Sequence, residues 1–118
     1  MNNIQVSKNF KLKEFQCKDG NHQVRLDSQL LKKLQELRDR IGKPIIINSG
    51  YRTKEYNKLI GGSPNSQHLL GRAADISMTN MNPREVARVA EEIGFGGIGI
   101  YRDFLHVDVR KVRARWEG

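Results

Sequence analysis

Six side chains in two short stretches offer chemistry. Asn48 to Ser77 holds Arg52, His68 and Asp75, and Asp103 to Asp108 adds Asp103, His106 and Asp108. His68 lies in a loop rich in glycine, serine and proline, and Asp75 follows it at the start of a candidate strand. His106 sits on another candidate strand, three residues after Asp103 and two before Asp108. Two histidines and an aspartate make a three-ligand set for zinc with a fourth position open to water. Such a site stays net positive, so it polarises a carbonyl and acidifies water.

Each residue also has a plainer reading. A lone histidine is more often structural, but two of them with Asp75 close to the first favour a metal. Asp103 is a general acid/base candidate, or else a solvated turn residue. Residues three apart on a straight strand face opposite ways, so Asp103 reaches the His106 side only if the chain turns at 102–105. Asp108 lies on the His106 side, where it either orients a ligand or pairs with an arginine. Arg52, held in the turn Ser49-Gly50-Tyr51-Arg52, can bind a carboxylate or steady an oxyanion. Its alternative is a salt bridge to Asp75 or Glu55. Tyr51 reads as core. Cys17 and His22 match no familiar metal spacing, and no second pair follows them.

The elements that must position these groups read clearly. Phe10, Leu12 and Phe15 form a short turn docked on the core. Asp27 caps a helix over 28–41 whose Leu30, Leu34, Leu37 and Ile41 make one apolar stripe. Gly42 and Pro44 end it. Residues 44–48 are an apolar β-branched run, read as a buried strand that delivers Arg52. Thr53 caps a short helix over 54–60, and 61–66 is a loop leading to His68. Residues 73–77 are the next strand. Asn82-Pro83 opens a helix to 93 that buries Val86, Val89, Ala90 and Ile93. A strand entered through a flexible glycine turn covers 96–101. The final strand spans 104–109, with Leu105, Val107 and Val109 alternating against His106 and Asp108. Trp116 packs back on the domain. Helices early and strands late predict an α+β fold with a mostly antiparallel sheet.

At 118 residues the chain is expected to be one domain, residues 1–118, and a monomer. One cysteine excludes an intrachain disulfide. No run is long enough to span a bilayer or serve as a signal peptide, so the expectation is synthesis and retention in the cytosol. The net charge of +8 suits either a soluble basic surface or an anionic partner such as a cell-wall polymer. The tight basic cluster is Arg110, Lys111, Arg113 and Arg115. No nucleic-acid-binding motif accompanies it, so specific nucleic-acid binding is not expected.

Taken together, Ser49-Gly50-Tyr51-Arg52, Asn57, Gly61-Gly62, the string from Ser66 through His68, Gly71 and Ala73 to Asp75, and Asp103, His106 and Asp108 resemble the zinc D-alanyl-D-alanine carboxypeptidase family. That family includes dipeptidases and endolysins acting on peptidoglycan stem peptides. The Phe10–Cys17 lead, the Gly96-Gly97-Ile98-Gly99 turn and Arg115-Trp116 extend the resemblance over nearly the whole chain. It implies one zinc ion on His68, Asp75 and His106, with Asp103 as catalytic acid. It implies Arg52 at the substrate or transition state, and Ser66 and Gln67 lining the substrate site. The expected activity is carboxypeptidase or endopeptidase cleavage of stem peptides. Release by a holin, or carriage in a phage virion, would bring a leaderless enzyme to the wall. The competing expectation is a non-catalytic zinc-containing module of the same fold that binds the wall or a virion component.

Overall fold

The computed structural model describes residues 1–118. Asp27 accepts hydrogen bonds from the backbone N–H groups of Gln29 and Leu30, starting α1 (Ser28–Ile41). Gly42 ends it in the left-handed conformation that a residue without Cβ adopts most easily. β1 (Ile45–Ser49) follows, then α2 (Lys54–Leu59), capped by the Thr53 hydroxyl. A 3-10 turn over Gln67–Leu70 leads into β2 (Ala73–Met78). Asn82 and Glu85 cap each other's backbone at the start of α3 (Pro83–Ile93). β3 (Gly97–Ile100), β4 (Leu105–Asp108) and β5 (Ala114–Glu117) complete the chain.

The five strands lie in the order β1-β2-β4-β3-β5. All pairs are antiparallel except β3 with β5. The expected α+β, mostly antiparallel sheet is therefore present. One strand was not expected: β4 is not the last, and β5 runs parallel to β3 and brings Trp116 opposite Gly99. Only four residues long and rich in charge, β5 gives little apolar signal of its own.

The residue-by-residue alternation of a strand divides this sheet into two surfaces. Ala74 and Ile76 of β2, with Leu105 and Val107 of β4, face a core completed by Leu30, Leu34 and Leu37 of α1 and Val86, Ala87 and Ala90 of α3. Phe10, Phe15 and Phe95 close its ends. Val89 and Ile93 of α3 and Ile41 of α1 are only partly buried at its margin. Asp75 of β2 and His106 and Asp108 of β4 fall on the opposite surface. β1 corrects the expectation of a buried strand: it is an edge strand, and Ile46 is 55% exposed while Ile45 and Ile47 face the core. A run of β-branched residues looks the same on an edge as in a sheet centre. Tyr51 is likewise not core but lines a surface groove.

Candidate metal centre

Asp75 and His106 are direct cross-strand partners in the β2–β4 ladder. Their side chains therefore start close together on the face away from the helices. His68 comes from the 3-10 turn, whose start is fixed by the Ser66 hydroxyl accepting from the His68 backbone N–H at 3.1 Å. His68 Nε2 lies 3.3 Å from Asp75 Oδ1, and His106 Nδ1 lies 2.9 Å from the same oxygen. One ligand atom from each of the three residues lies within 4.8 Å of the others. Tetrahedral zinc with bonds of about 2.0–2.1 Å separates its ligand atoms by roughly 3.4 Å. Two nitrogens and one carboxylate oxygen at these separations fit zinc.

The remaining ring nitrogens explain why the rings hold this orientation. His68 Nδ1 donates to the carbonyl of Gly50 at 2.7 Å. A carbonyl only accepts, so Nδ1 carries a proton, and Nε2 is the nitrogen that faces Asp75. His106 Nε2 lies 2.7 Å from Asp108 Oδ2, which leaves Nδ1 turned toward Asp75. The expected arginine pairing of Asp108 is present, and the same carboxylate also meets His106. It orients His106, and it accepts from Arg110 through the backbone N–H, Nε and a terminal guanidinium nitrogen. His68, His106 and Asp108 are 2%, 8% and 0% exposed.

Arg52 forms the salt bridge to Asp75, one of its two expected readings. Its guanidinium reaches Asp75 Oδ2 at 3.2 Å, the Ser49 hydroxyl at 3.1 Å and Asn57 Oδ1 at 3.2 Å. Asp75 thus turns one oxygen to the histidines and the other to Arg52. Buried Asn57 donates onward to the carbonyl of Ser63 and so ties Arg52 to the 61–66 loop. The cavity over the centre measures about 450 Å³. Arg52, Ser66 and Gln67 line one side, and Tyr101, Phe104 and Trp116 the other. Asp103 lies in the bend between β3 and β4, exposed, between the two lining residues Tyr101 and Phe104. Its backbone carbonyl accepts from the Ser77 hydroxyl. Its carboxylate is not part of the cavity wall. Cys17 and His22 do not come together: the thiol is buried near Thr53, and the His22 ring contacts Gln16.

The glycines of β3 have a role that the idea of a flexible turn missed. A Cβ on Gly97 would lie 2.2 Å from Asp108 Oδ2, and one on Gly99 would lie 2.4 Å from the Trp116 ring. Both positions stay bare so that a carboxylate and an indole can lie against the strand. Isolated glycines inside a strand are the sequence signal for such close approach. Gly97→Ala is therefore expected to push Asp108 off His106 and weaken zinc binding by about 10–100-fold. Competition with a chelating dye checks this, and an unchanged affinity would remove Asp108 from the account.

Charge at the metal-free site is self-compensating. Burial opposes ionisation of Asp75, but hydrogen bonds to His106 and His68 and their charge hold its carboxyl well below the usual range. Burial likewise opposes ionisation of Asp108, and His106 and Arg110 reverse that effect. For His106, burial disfavours the cation, yet the two carboxylates beside it raise its pKa above the ordinary imidazole value. The stability this gives is full below the unfolded-state pKa of about 6.5 and is lost as pH rises through the raised folded value. Zinc needs the neutral ring, so its binding below that value releases a proton. The zinc-induced rise in unfolding temperature should accordingly be larger at pH 8 than at pH 6, as differential scanning calorimetry with and without zinc would show. The two aspartates contribute no slope there, because their stabilisation is lost only in strong acid.

A sequence model of peptidase M15 matches residues 8–108. The chain belongs to the peptidase M15 family. Among its relatives is a protein named zinc D-Ala-D-Ala carboxypeptidase from Streptomyces albus G. It is 39% identical over 64 residues, covering 53% of this chain and 25% of that protein. Another is named probable peptidoglycan L,D-endopeptidase MepK, from Haemophilus influenzae. It is 30% identical over 111 residues, covering 86% of this chain and 59% of that protein. The chain thus spans between a quarter and three fifths of the length of these curated relatives. The family match covers Arg52, His68, Asp75, Asp103, His106 and Asp108, and ends before β5 and Trp116.

Proposed function

We propose that this chain is a zinc-dependent peptidase that hydrolyses peptide bonds in the stem peptides of bacterial peptidoglycan. One observation carries the reading: His68, Asp75 and His106 converge on one point, each histidine fixed through its other nitrogen. Membership of the peptidase M15 family and the printed names of the two relatives, one a zinc carboxypeptidase and one a peptidoglycan endopeptidase, support it.

His68, Asp75 and His106 would hold the ion, and when bound it supplies Lewis acidity that polarises the scissile carbonyl and acidifies water. The other tasks fall to the chain. Asp103, exposed on the bend beside the cavity, would have to turn its carboxylate inward to take a proton from the attacking water and pass it to the leaving amine. Arg52 presents a guanidinium already fixed by three side chains, so little ordering is needed before it meets a substrate carboxylate or the oxygen that gains charge. Ser66 and Gln67 form one wall for the peptide, and Tyr101 and Phe104 form the other, stacked with ring centroids 4.3 Å apart.

Digestion of purified muropeptides, followed by mass spectrometry, tests the proposal. Zinc-loaded protein should split a stem peptide at one bond with the gain of one water. Intact muropeptides from every wall type tried would refute it.

A further inference from the structure

Beside the metal cavity lies a second recess of about 420 Å³ between the turn that leads into β2 and the segment joining β4 to β5. Arg72, Arg110, Lys111 and Arg113 line it, and no acidic residue does. Gln67 and Arg110 belong to the walls of both cavities, so the two lie side by side. The cations are not equivalent. Arg110 is held by Asp108 at 2.6 Å, Arg113 by Glu91 at 2.8 Å and Arg72 more loosely by Asp27 at 3.7 Å. Lys111 is exposed and pairs with no carboxylate. The pairing carboxylates belong to residues outside the recess lining, which orders the guanidinium groups before any ligand arrives.

Gln67 Oε1 is buried without a hydrogen bond, which is uncommon in a folded protein. Arg72 turns its Nε toward the Asp27 carboxylate at 3.7 Å and donates from a terminal nitrogen to the carbonyl of Val109. Gln67 stands at the junction of the two cavities, where its oxygen can accept from a peptide N–H. Arg72 adds its positive charge to the recess wall.

We infer that this recess is a carboxylate-binding subsite, in which Arg72 and Lys111 hold an acidic group of the peptide whose main chain passes Gln67 on its way to the metal centre. The inference rests on the stem-peptide reading above and adds a specificity to it: peptides with a free carboxylate on this side of the scissile bond are preferred over their amides. Stem peptides offer two sources, the glutamate carboxylate and the carboxyl terminus.

Calorimetric titration of zinc-loaded Asp103→Ala protein tests the inference without turnover. The probes are a stem peptide with both groups free, the peptide amidated at glutamate and the peptide amidated at its C-terminus. One amide should bind about tenfold more weakly than the free peptide at low salt, and that amide identifies the source. Adding Lys111→Glu should weaken the free peptide about tenfold and leave that amide within about twofold, which erases the preference; zinc content should not change. Equal weakening of acid and amide, no effect of Lys111→Glu, or no binding of any peptide would overturn the inference. Cleavage of the same peptides by the unmutated protein decides the peptidase reading separately.

Discussion

Replacing His106 with alanine is expected to strip zinc from the protein and lower stem-peptide hydrolysis by on the order of a thousandfold or more. A catalytic metal supplies several kcal/mol of charge stabilisation, and each ~1.4 kcal/mol is tenfold in rate. On the proposed reading His106 would supply one of three ligand atoms, and it also lies between the carboxylates of Asp75 and Asp108. Its loss leaves the buried Asp108 carboxylate with Arg110, and the partly buried Asp75 carboxylate with Arg52 and His68, as their remaining partners. The metal-free variant should therefore also unfold more easily, by about 1–3 kcal/mol. His68→Ala separates the two effects. It removes a ligand whose other partner is only the Gly50 carbonyl, so zinc and activity should vanish with a smaller change in stability. Metal analysis of the purified variants, together with urea unfolding, reads both quantities. Either variant retaining one tightly bound zinc would show that the ion sits elsewhere.

Asp103→Ala should have the opposite profile: zinc kept, fold kept, hydrolysis reduced by about 10²–10⁴-fold, the range of a positioned acid/base. The structure makes a clean separation possible. Asp103 is exposed in the β3–β4 bend, and only its backbone carbonyl is hydrogen-bonded, which any residue retains. Surface changes of this kind usually alter stability by less than about 0.5 kcal/mol. Asp103→Asn should be as inactive as the alanine, because an amide cannot take the proton. A steady-state assay beside zinc quantitation distinguishes this from metal loss. Full activity in both variants would assign the proton transfer to another group.

Most of the site could be read from the sequence because its signals are local. The Asp27, Thr53 and Asn82 caps and the Gly42 stop place α1, α2 and α3 within a residue of their expected ends. The alternation around His106 and Asp108 gives β4 its two faces. What could not be read depends on pairing across the chain. The edge position of β1 is decided by which strand β2 accepts on its other side, and an isoleucine run carries no trace of that. β5 exists because Trp116 and Ala114 find β3, a parallel pairing with no hairpin to announce it. Arg110 appears in the sequence as one of a basic cluster. Its grip on Asp108 and its place over the Trp116 ring, 5.1 Å from the ring centre, emerge only when β3 gathers β4 and β5 on its two sides. Gly97 and Gly99 could have been recognised, since glycines at alternate positions of a strand mark a surface kept clear.

On the proposed reading, one zinc ion on His68, Asp75 and His106 makes this chain a peptidase. Titrating zinc into chelator-stripped protein while following stem-peptide hydrolysis decides this. Activity should rise from the baseline in proportion to added zinc and level off at about one ion per chain, as a single three-ligand site requires. Full hydrolysis by the stripped protein, or stoichiometric zinc uptake that brings no hydrolysis, would contradict it.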